Sequence, residues 1–247
     1  MARENAAMGV VVQVDNVSKA YELGGQRFEA LKHVSLSIEE GVFLAIAGPS
    51  GSGKTSLLNL IGCIDTPSTG RILIDGADVA GKDANALADL RNRTIGFIFQ
   101  TFNLLPVLTA AENVEYPLLR RADLSAGERR ARVKHFLGLV GLSNFAGRRP
   151  NQLSGGQRQR VAIARALAVQ PRIVLADEPT ANLDRKTGDD ILKLMRSLNK
   201  QLGTTFIFST HDKRVMAMAD RLVRISDGKV ALLGVRVAEH WSYVKAR

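Results

Sequence analysis

The chain has 247 residues, of which 45% are hydrophobic, and 34 Lys and Arg against 24 Asp and Glu give it a formal net charge of +10. The hydrophobic fraction supports a sizeable core and excludes a disordered chain, and the single cysteine, Cys63, excludes a disulfide within the chain. No apolar run reaches the ~20 residues that a transmembrane helix needs, and residues 1–17 contain no apolar region of the signal-peptide type, so we expect any membrane path to come from a partner.

The predicted elements before residue 100 are mainly strands. Valines at alternate positions near the N-terminus are typical of β-structure, and the apolar run at 42–47 predicts a buried strand. In chain order, the pattern predicts strands at 10–17, 36–38 and 42–47, a glycine-rich loop, a helix at 54–62, and strands at 71–76 and 94–99. Cys63 lies in the apolar pattern of that helix, and we expect it to be a small core residue.

The middle of the chain, about 104–168, changes to helical patterns. Ser125 and Glu128 form a plausible capping box that predicts the start of a basic amphipathic helix. Strands and helices then alternate at 172–177, 187–202, 204–209, 213–219, 221–225 and 229–233. This alternation predicts the α/β class, with a largely parallel sheet covered on both faces, and the helical middle is interpreted as an inserted subdomain.

The glycine-rich loop fits the pattern G-x-x-x-x-G-K-[ST], between a predicted buried strand and a predicted helix. Glycines allow successive backbone N–H groups to point at phosphate oxygens, and a helix N-terminus adds its dipole. Lys54 is expected to bind the β- and γ-phosphates, and the Thr55 hydroxyl is expected to bind Mg²⁺. The sequence therefore predicts a nucleoside triphosphate site formed by Gly48, Pro49, Ser50, Gly51, Ser52, Gly53, Lys54, Thr55 and Ser56.

Two adjacent carboxylates, Asp177 and Glu178, follow an apolar strand pattern at 173–176. The carboxyl end of a strand is where ligands bind in open α/β sheets. Asp177 suits Mg²⁺, and Glu178, which an extended strand would point to the opposite side, suits polarising a water molecule. The structural alternative is a strand followed by an ordinary acidic turn.

A second candidate phosphate site lies at residues 153–157, immediately before a helical pattern at 158–169. Its two glycines permit close approach of the backbone to a phosphate, and its serine and the helix N-terminus provide donors. The two candidate sites need not bind the same nucleotide within one chain. The economical arrangement is a dimer in which each triphosphate lies between the glycine-rich loop 48–56 (the P-loop) of one copy and this second loop of the other. The second loop would form that contact through Leu153, Ser154, Gly155, Gly156 and Gln157.

Over residues 10–235 the chain resembles the nucleotide-binding domains of the ABC transporter family, because residues 153–157 match the family signature LSGGQ without substitution. The resemblance implies a P-loop NTPase core of ABC type, with an N-terminal antiparallel β-subdomain and an inserted α-helical subdomain. It implies one domain over 1–247, with the β and catalytic core at about 10–100 and 170–235, the helical subdomain at 101–169 and a C-terminal extension at 236–247. ATP and Mg²⁺ are the implied cofactors, and ATP hydrolysis is the implied activity.

The same resemblance implies roles for further residues. Tyr21 would stack on adenine, Gln100 would contact Mg²⁺ and sense a membrane partner, and His211 would contact the γ-phosphate. Asn182 and Asp184 would belong to the D-loop, which crosses the dimer interface. A strand tyrosine, a loop glutamine and a capping histidine are the ordinary structural alternatives. The implied catalytic set is Glu178, His211, Lys54 and Gln100.

The segments 59–65, 99–106, 109–118 and 179–184 most resemble the ATPases of the lipoprotein-releasing and macrolide-export group. That group pairs with FtsX-like permeases, so the resemblance implies a permease partner with an extracytoplasmic domain and a position on the cytoplasmic face of the inner membrane. The alternatives are the ATPase of an unrelated ABC importer or exporter, a non-hydrolysing module, and a soluble ABC ATPase that acts on nucleic acid. Nucleic acid is not expected, because one ordinary subdomain separates Lys54 from Ser154.

Three residues of the C-terminal extension, Trp241, Tyr243 and Lys245, form a short amphipathic pattern. We expect this segment to cap the domain, and contact with a membrane surface or a partner is the alternative.

Overall fold

The computed structural model describes residues 9–237 and 240–245. The strands are β1 (Val10–Leu23), β2 (Gln26–Glu39), β3 (Phe43–Ala47), β4 (Thr69–Ile74), β5 (Ala77–Asp78), β6 (Ile95–Ile98), β7 (Ile173–Asp177), β8 (Thr205–Thr210), β9 (Arg221–Ser226), β10 (Lys229–Val237) and β11 (His240–Lys245). The α-helices are α1 (Lys54–Ile61), α2 (Ala84–Thr94), α3 (Ala110–Glu115), α4 (Ala126–Leu139), α5 (Gly155–Ala168), α6 (Arg185–Leu202) and α7 (Lys213–Met218). None of the helices in these residues is both long and apolar enough to cross a membrane.

The strands form two sheets. The first is antiparallel, with the order β2-β1-β4-β5, and its long β1–β2 hairpin places Tyr21 directly opposite Phe28. The second has the order β11-β10-β9-β3-β8-β7-β6, in which β9, β3, β8, β7 and β6 run parallel and β10 and β11 are antiparallel. The predicted α/β class with an N-terminal antiparallel β-subdomain is therefore confirmed.

Strand β3 divides the interior into two cores, because its successive side chains point to opposite faces of the sheet. Phe43 and Ala45 pack with the helical elements and with Phe206 and Phe208 of β8. Leu44 and Ile46 pack with α1 and the antiparallel sheet. Every residue of β3 is buried, as expected for a parallel strand that is covered on both faces.

The helical region contains α3, α4 and α5, and each of these helices begins with a capping box. At the start of α4, the backbone N–H of Glu128 donates to Ser125 Oγ (3.2 Å), and the backbone N–H of Ser125 donates to Glu128 Oε2 (2.7 Å). Such a cap stabilises a helix by about 1 kcal/mol. The capping box predicted at Ser125 is confirmed.

The structure contains one helix that the sequence pattern does not predict, and one predicted helix has a different end. The sequence pattern does not predict helix α2, because only Leu87 and Thr94 of its residues are buried and it therefore lacks an apolar stripe. The helix predicted at 54–62 ends at Ile61, so Cys63 lies beyond it, in a turn with a φ of 52°, although it is buried in the core as expected.

The C-terminal extension continues the large sheet instead of forming a separate amphipathic piece. Strand β11 pairs with β10 from Leu232↔Lys245 to Val237↔His240, and the rings of Trp241 and Tyr243 stack with centroids 6.0 Å apart. Four residues of the predicted extension 236–247 lie outside the described residues, namely 238, 239, 246 and 247. Residues 1–8 at the start of the chain also lie outside them.

Candidate functional site

The P-loop connects β3 to α1 and requires glycine at Gly53. Its φ is 105°, and a Cβ at this position would lie 2.5 Å from the backbone oxygen of Ala30. The Lys54 ammonium donates to the backbone oxygens of Gly48 (2.9 Å) and Pro49 (2.8 Å), so it lies across the loop. The hydroxyl oxygen of Ser52 is buried and has no hydrogen-bond partner within the described residues. The loop therefore offers an ammonium group and helix N–H donors to a bound anion.

A cavity of about 200 Å³ joins the P-loop to the β1–β2 hairpin. Tyr21 and Phe28 line one side of it, and its other lining residues are Ala30, Gly51, Gly53, Lys54, Thr55 and Ser56. The structure thus brings Tyr21 to the P-loop, although the two are about thirty residues apart in the sequence. Phe28, which is 59% exposed, is absent from the predicted site, and only its strand register with Tyr21 could have indicated it.

The remaining predicted site residues follow neighbouring parallel strands. The P-loop follows β3, His211 follows β8, Asp177 ends β7, and Gln100 follows β6 closely, so all of them lie at the same edge of the sheet. Burial raises the pKa of the Asp177 carboxyl and the charge of Glu178 adds to this, whereas a hydrogen bond from Ser209 and the charge of Lys54 oppose it. A bound cation or a hydrogen-bond donor at Asp177 would therefore stabilise the ionised carboxylate, because its buried negative charge is only partly compensated.

Glu178 turns away from the strand and contacts His211. Its φ is 44°, and its Oε1 lies 2.6 Å from His211 Nδ1, while Thr210 Oγ1 donates to its Oε2 at 3.3 Å. The prediction that Glu178 points across the pleat from Asp177 assumed an extended strand, whereas β7 ends at Asp177 and Glu178 has a left-handed backbone. An ionised carboxylate only accepts hydrogen bonds, so Nδ1 is assigned the hydrogen and Nε2 is left free.

The signature loop begins α5 with Ser154 as its N-cap. The Ser154 side chain is exposed and accepts from the backbone N–H of Gln157 at 3.3 Å, and Gln157 Oε1 accepts from the backbone N–H of Ser154 at 2.8 Å. A Cβ at Gly156 would lie 2.6 Å from Thr187 Cγ2. The sequence predicts this glycine for close approach to a phosphate, and the structure adds a second reason, which is the packing of α5 against the start of α6.

Leu153 differs from the other residues predicted at a dimer interface, because it is only 6% exposed and packs in the core of its own chain. It therefore anchors the loop instead of facing outward, since an apolar side chain next to a capping serine gains more from its own core than from solvent.

The D-loop residues connect the signature region to Gln100. Asn182 Nδ2 donates to the backbone oxygen of Gln100 at 3.0 Å, and the carboxylate of Asp184 caps α6 by accepting from the backbone N–H of Thr187 at 3.0 Å. A buried bond from Gln159 Nε2 to the backbone oxygen of Pro179 (2.7 Å) joins α5 to the same loop. The Gln100 side chain itself is exposed. Hydrogen bonds therefore join the D-loop segment both to Gln100 and to helix α5.

The P-loop and the signature loop are not bonded to each other in the part of the chain that the structure describes. Among the hydrogen bonds and ion pairs of residues 9–237 and 240–245, none joins 48–56 to 153–157. The signature loop instead contacts Leu183 and Thr187 of its own chain. Each chain therefore presents two separate helix N-termini, at Lys54 and Gly155, that the sequence analysis predicts as phosphate sites.

Comparison with known proteins identifies the family. Residues 31–181 match the family described as ABC transporter. The lipoprotein-releasing system ATP-binding protein LolD of Anaeromyxobacter dehalogenans is 47% identical over 223 residues, which cover 90% of this chain and 93% of that protein. The macrolide export ATP-binding/permease protein MacB of Brucella melitensis is 47% identical over 220 residues, which cover 89% of this chain and 34% of MacB.

A solved structure gives the same result. The dimeric ATP-binding cassette MJ0796 of Methanocaldococcus jannaschii, in a post-hydrolysis state bound to ADP and Pi, matches with a TM-score of 0.81 and 46% identity, covering 96% of this chain and 99% of that chain. The predicted P-loop NTPase core of ABC type is confirmed by this likeness. The chain belongs to the ABC transporter family, as an ATPase subunit whose relatives include the ATP-binding components of lipoprotein-releasing and macrolide-export systems.

Proposed function

We propose that two copies of this chain bind ATP between them, head to tail, and that hydrolysis opens the pair to drive a membrane permease. The observation that carries this proposal is that one chain has two helix N-termini with phosphate-site sequence patterns and no hydrogen bond between them in the described residues. A triphosphate held from both sides would complete each half-site, because its charge would be removed from water only when the pair is closed. The MJ0796 cassette, which is dimeric and bound to ADP and Pi, supports this arrangement.

Residues of both copies contact each nucleotide. Tyr21 stacks on the base, Lys54 binds the β- and γ-phosphates, and the signature Ser154 and Gly156 of the second copy bind the γ-phosphate from the other side. Thr55, Asp177 and Gln100 offer a hydroxyl, a carboxylate and an amide oxygen, and this all-oxygen donor set fits Mg²⁺. When bound, Mg²⁺ neutralises negative charge on the phosphate oxygens.

Glu178 and His211 carry out the hydrolytic step. The Glu178 carboxylate accepts a proton from a water molecule as the water oxygen bonds to the γ-phosphorus, and the bond from that phosphorus to the β–γ bridging oxygen breaks, which yields ADP and phosphate. The contact between His211 Nδ1 and Glu178 (2.6 Å) orients the imidazole, and Nε2 donates to a γ-phosphate oxygen when both ring nitrogens carry hydrogens. Lys54 stabilises the charge that develops on the leaving oxygen.

The permease partner would dock on the groove between α2, β6 and the 3-10 turn Tyr116–Arg120. This groove has a volume of about 500 Å³, and Phe97, Phe99, Tyr116 and Leu119 are among its lining residues. Tyr116 and Leu119 are more than half exposed, and exposed apolar side chains beside a groove mark interaction sites. The likeness to LolD and MacB supports an FtsX-like permease at the cytoplasmic face of the inner membrane, with lipoprotein or lipid extraction, or efflux, by force transmission.

Measurements of ATP binding and phosphate release test the hydrolytic assignments. Lys54→Ala should abolish phosphate release and weaken ATP binding, whereas Glu178→Gln should retain ATP binding and lose phosphate release. Turnover of Glu178→Gln at the parental rate would exclude Glu178 as the base. Co-purification of the chain with RNA, and not with a membrane permease, would favour the alternative of a nucleic-acid-handling ATPase.

A further inference from the structure

A compact polar cluster lies behind the ring of Tyr21. The Lys19 ammonium donates to Asp65 Oδ1 (2.6 Å) and to the backbone oxygen of Thr66 (2.8 Å), and the Tyr21 hydroxyl donates to Asp65 Oδ2 (3.0 Å). The ammonium also lies 5.0 Å from the centroid of the Tyr21 ring. Each oxygen of one carboxylate is therefore used by a different side chain of strand β1, and the tyrosine is held at its hydroxyl and along its ring.

The cluster joins the hairpin that bears the tyrosine to the helix that bears the P-loop lysine. Lys19 and Tyr21 lie on the same side of β1, because both side chains bond to the carboxylate of Asp65. Asp65 follows the end of α1, and its backbone N–H and that of Ile64 both donate to the backbone oxygen of Asn59, in the last turns of that helix (3.3 Å and 2.9 Å). Asp65 thus links the Tyr21 ring directly to helix α1, which begins at Lys54.

The charges of the cluster are well compensated. The Lys19 side chain is 12% exposed and that of Asp65 is 28% exposed. Burial opposes ionisation of Asp65, but the hydrogen bonds from Lys19, from the backbone N–H of Thr66 and from the Tyr21 hydroxyl outweigh it and hold the pKa of this carboxyl below its usual range. The carboxylate is therefore ionised at neutral pH and remains a strong acceptor for the tyrosine hydroxyl.

We propose that Asp65 and Lys19 are positioning residues that fix the Tyr21 ring against the nucleotide cavity, so that its face is presented to the base before ATP arrives. The proposal rests on the proposed function, in which Tyr21 stacks on adenine. A side chain that is already ordered loses less conformational entropy on binding, so the affinity for ligands with a base increases. A ligand that consists of phosphates alone gains nothing from the same arrangement.

The test is a double-mutant cycle between Tyr21→Phe, which removes only the hydroxyl, and Asp65→Ala, which removes its acceptor. Dissociation constants are measured by equilibrium titration for Mg·ATP and for Mg·tripolyphosphate, which has no base. We expect each single variant to weaken ATP binding about 5-fold, with no change for tripolyphosphate. The double variant should bind ATP no more weakly than the single variant with the larger dissociation constant. For Asp65→Ala, the KM for ATP should rise while the kcat at saturating ATP stays unchanged.

Three results would overturn the proposal. Unchanged ATP affinity in Tyr21→Phe would show that the hydroxyl does not position the ring. Effects of Tyr21→Phe and Asp65→Ala that multiply in the double variant would show that the two residues act independently. Equal losses for ATP and tripolyphosphate in Asp65→Ala would assign Asp65 a purely structural role at the end of α1.

The variant Tyr21→Ala separates this proposal from the proposed function. If Tyr21→Ala weakens ATP binding relative to tripolyphosphate while Tyr21→Phe does not, Tyr21 stacks on the base but its hydroxyl does not position the ring. If Tyr21→Ala binds ATP as well as the parental chain does, the stacking role fails first. Lys19→Met provides an independent arm, because it releases one oxygen of Asp65 and is expected to weaken ATP binding and to leave tripolyphosphate binding unchanged.

Discussion

Replacement of Gly53 by alanine tests whether the P-loop requires a left-handed backbone at this position. Gly53 has a φ of 105°, outside the region that residues with a side chain normally adopt, which costs about 1–3 kcal/mol. The new Cβ would also lie 2.5 Å from the backbone oxygen of Ala30 and 2.9 Å from Leu31 Cδ2. Overpacking of this kind costs about 1–3 kcal/mol more, so we expect Gly53→Ala to destabilise the fold by about 4 kcal/mol.

Gly51→Ala is the matched control, because Gly51 lies in the same loop with a φ of 76° and its added Cβ would have no neighbouring atom within 4 Å. Only the conformational cost of about 1 kcal/mol then applies. In a chain of this size we expect thermal midpoints to fall by about 10 °C for Gly53→Ala and by about 3 °C for Gly51→Ala. Thermal unfolding followed by circular dichroism measures both, and midpoints within about 1 °C of each other would refute the reasoning.

Three further predictions concern the chemistry of the site. His211→Ala removes the contact to Glu178, and we expect phosphate release to fall at least about 100-fold with little change in ATP affinity, so release at the parental rate would exclude the assigned role. Phe28→Ala removes the aromatic ring opposite Tyr21, and the KM for ATP should rise about 3-fold, whereas Phe28→Tyr should retain the parental KM. The pKa of Asp177 is raised, so the folded state binds the carboxyl proton more tightly than the unfolded state does. Ionisation of Asp177 therefore destabilises the fold. This cost is absent below the ordinary pKa of 3.8 and fully present above the raised pKa. Asp177→Asn should therefore raise the thermal midpoint of the nucleotide-free protein at pH 7.5 and have less effect at lower pH, and a midpoint lowered at pH 7.5 would contradict this.

Much of the nucleotide site could be predicted because its chemistry depends on short contiguous segments. A P-loop needs its glycines, lysine and threonine in one turn between a strand and a helix, and the signature loop needs its serine at a helix N-cap. The order of the parallel strands then brings His211 and Asp177 to the same edge as the P-loop. Local sequence and the general rules of α/β sheets are sufficient for these residues.

The contacts that could not be predicted are those between distant segments or those that depend on one backbone angle. Phe28 meets Tyr21 through strand register, and Asp65 meets Tyr21 across 44 positions of the chain. Glu178 contacts His211 from a backbone with a φ of 44°, which no residue pattern indicates. Helix α2 is mostly exposed and has no apolar periodicity to detect.

The central claim is that each ATP is bound between two copies of the chain. The molar mass of the ATP-loaded Glu178→Gln variant tests this claim most directly. Light scattering with Mg·ATP should give the mass of a pair of 26.8-kDa chains. Addition of Ser154→Arg, which places a bulky cation at the exposed N-cap of α5, should return the mass to that of one chain while ATP affinity is retained. A single-chain mass for Glu178→Gln at saturating ATP, or a pair that survives Ser154→Arg, would contradict the claim.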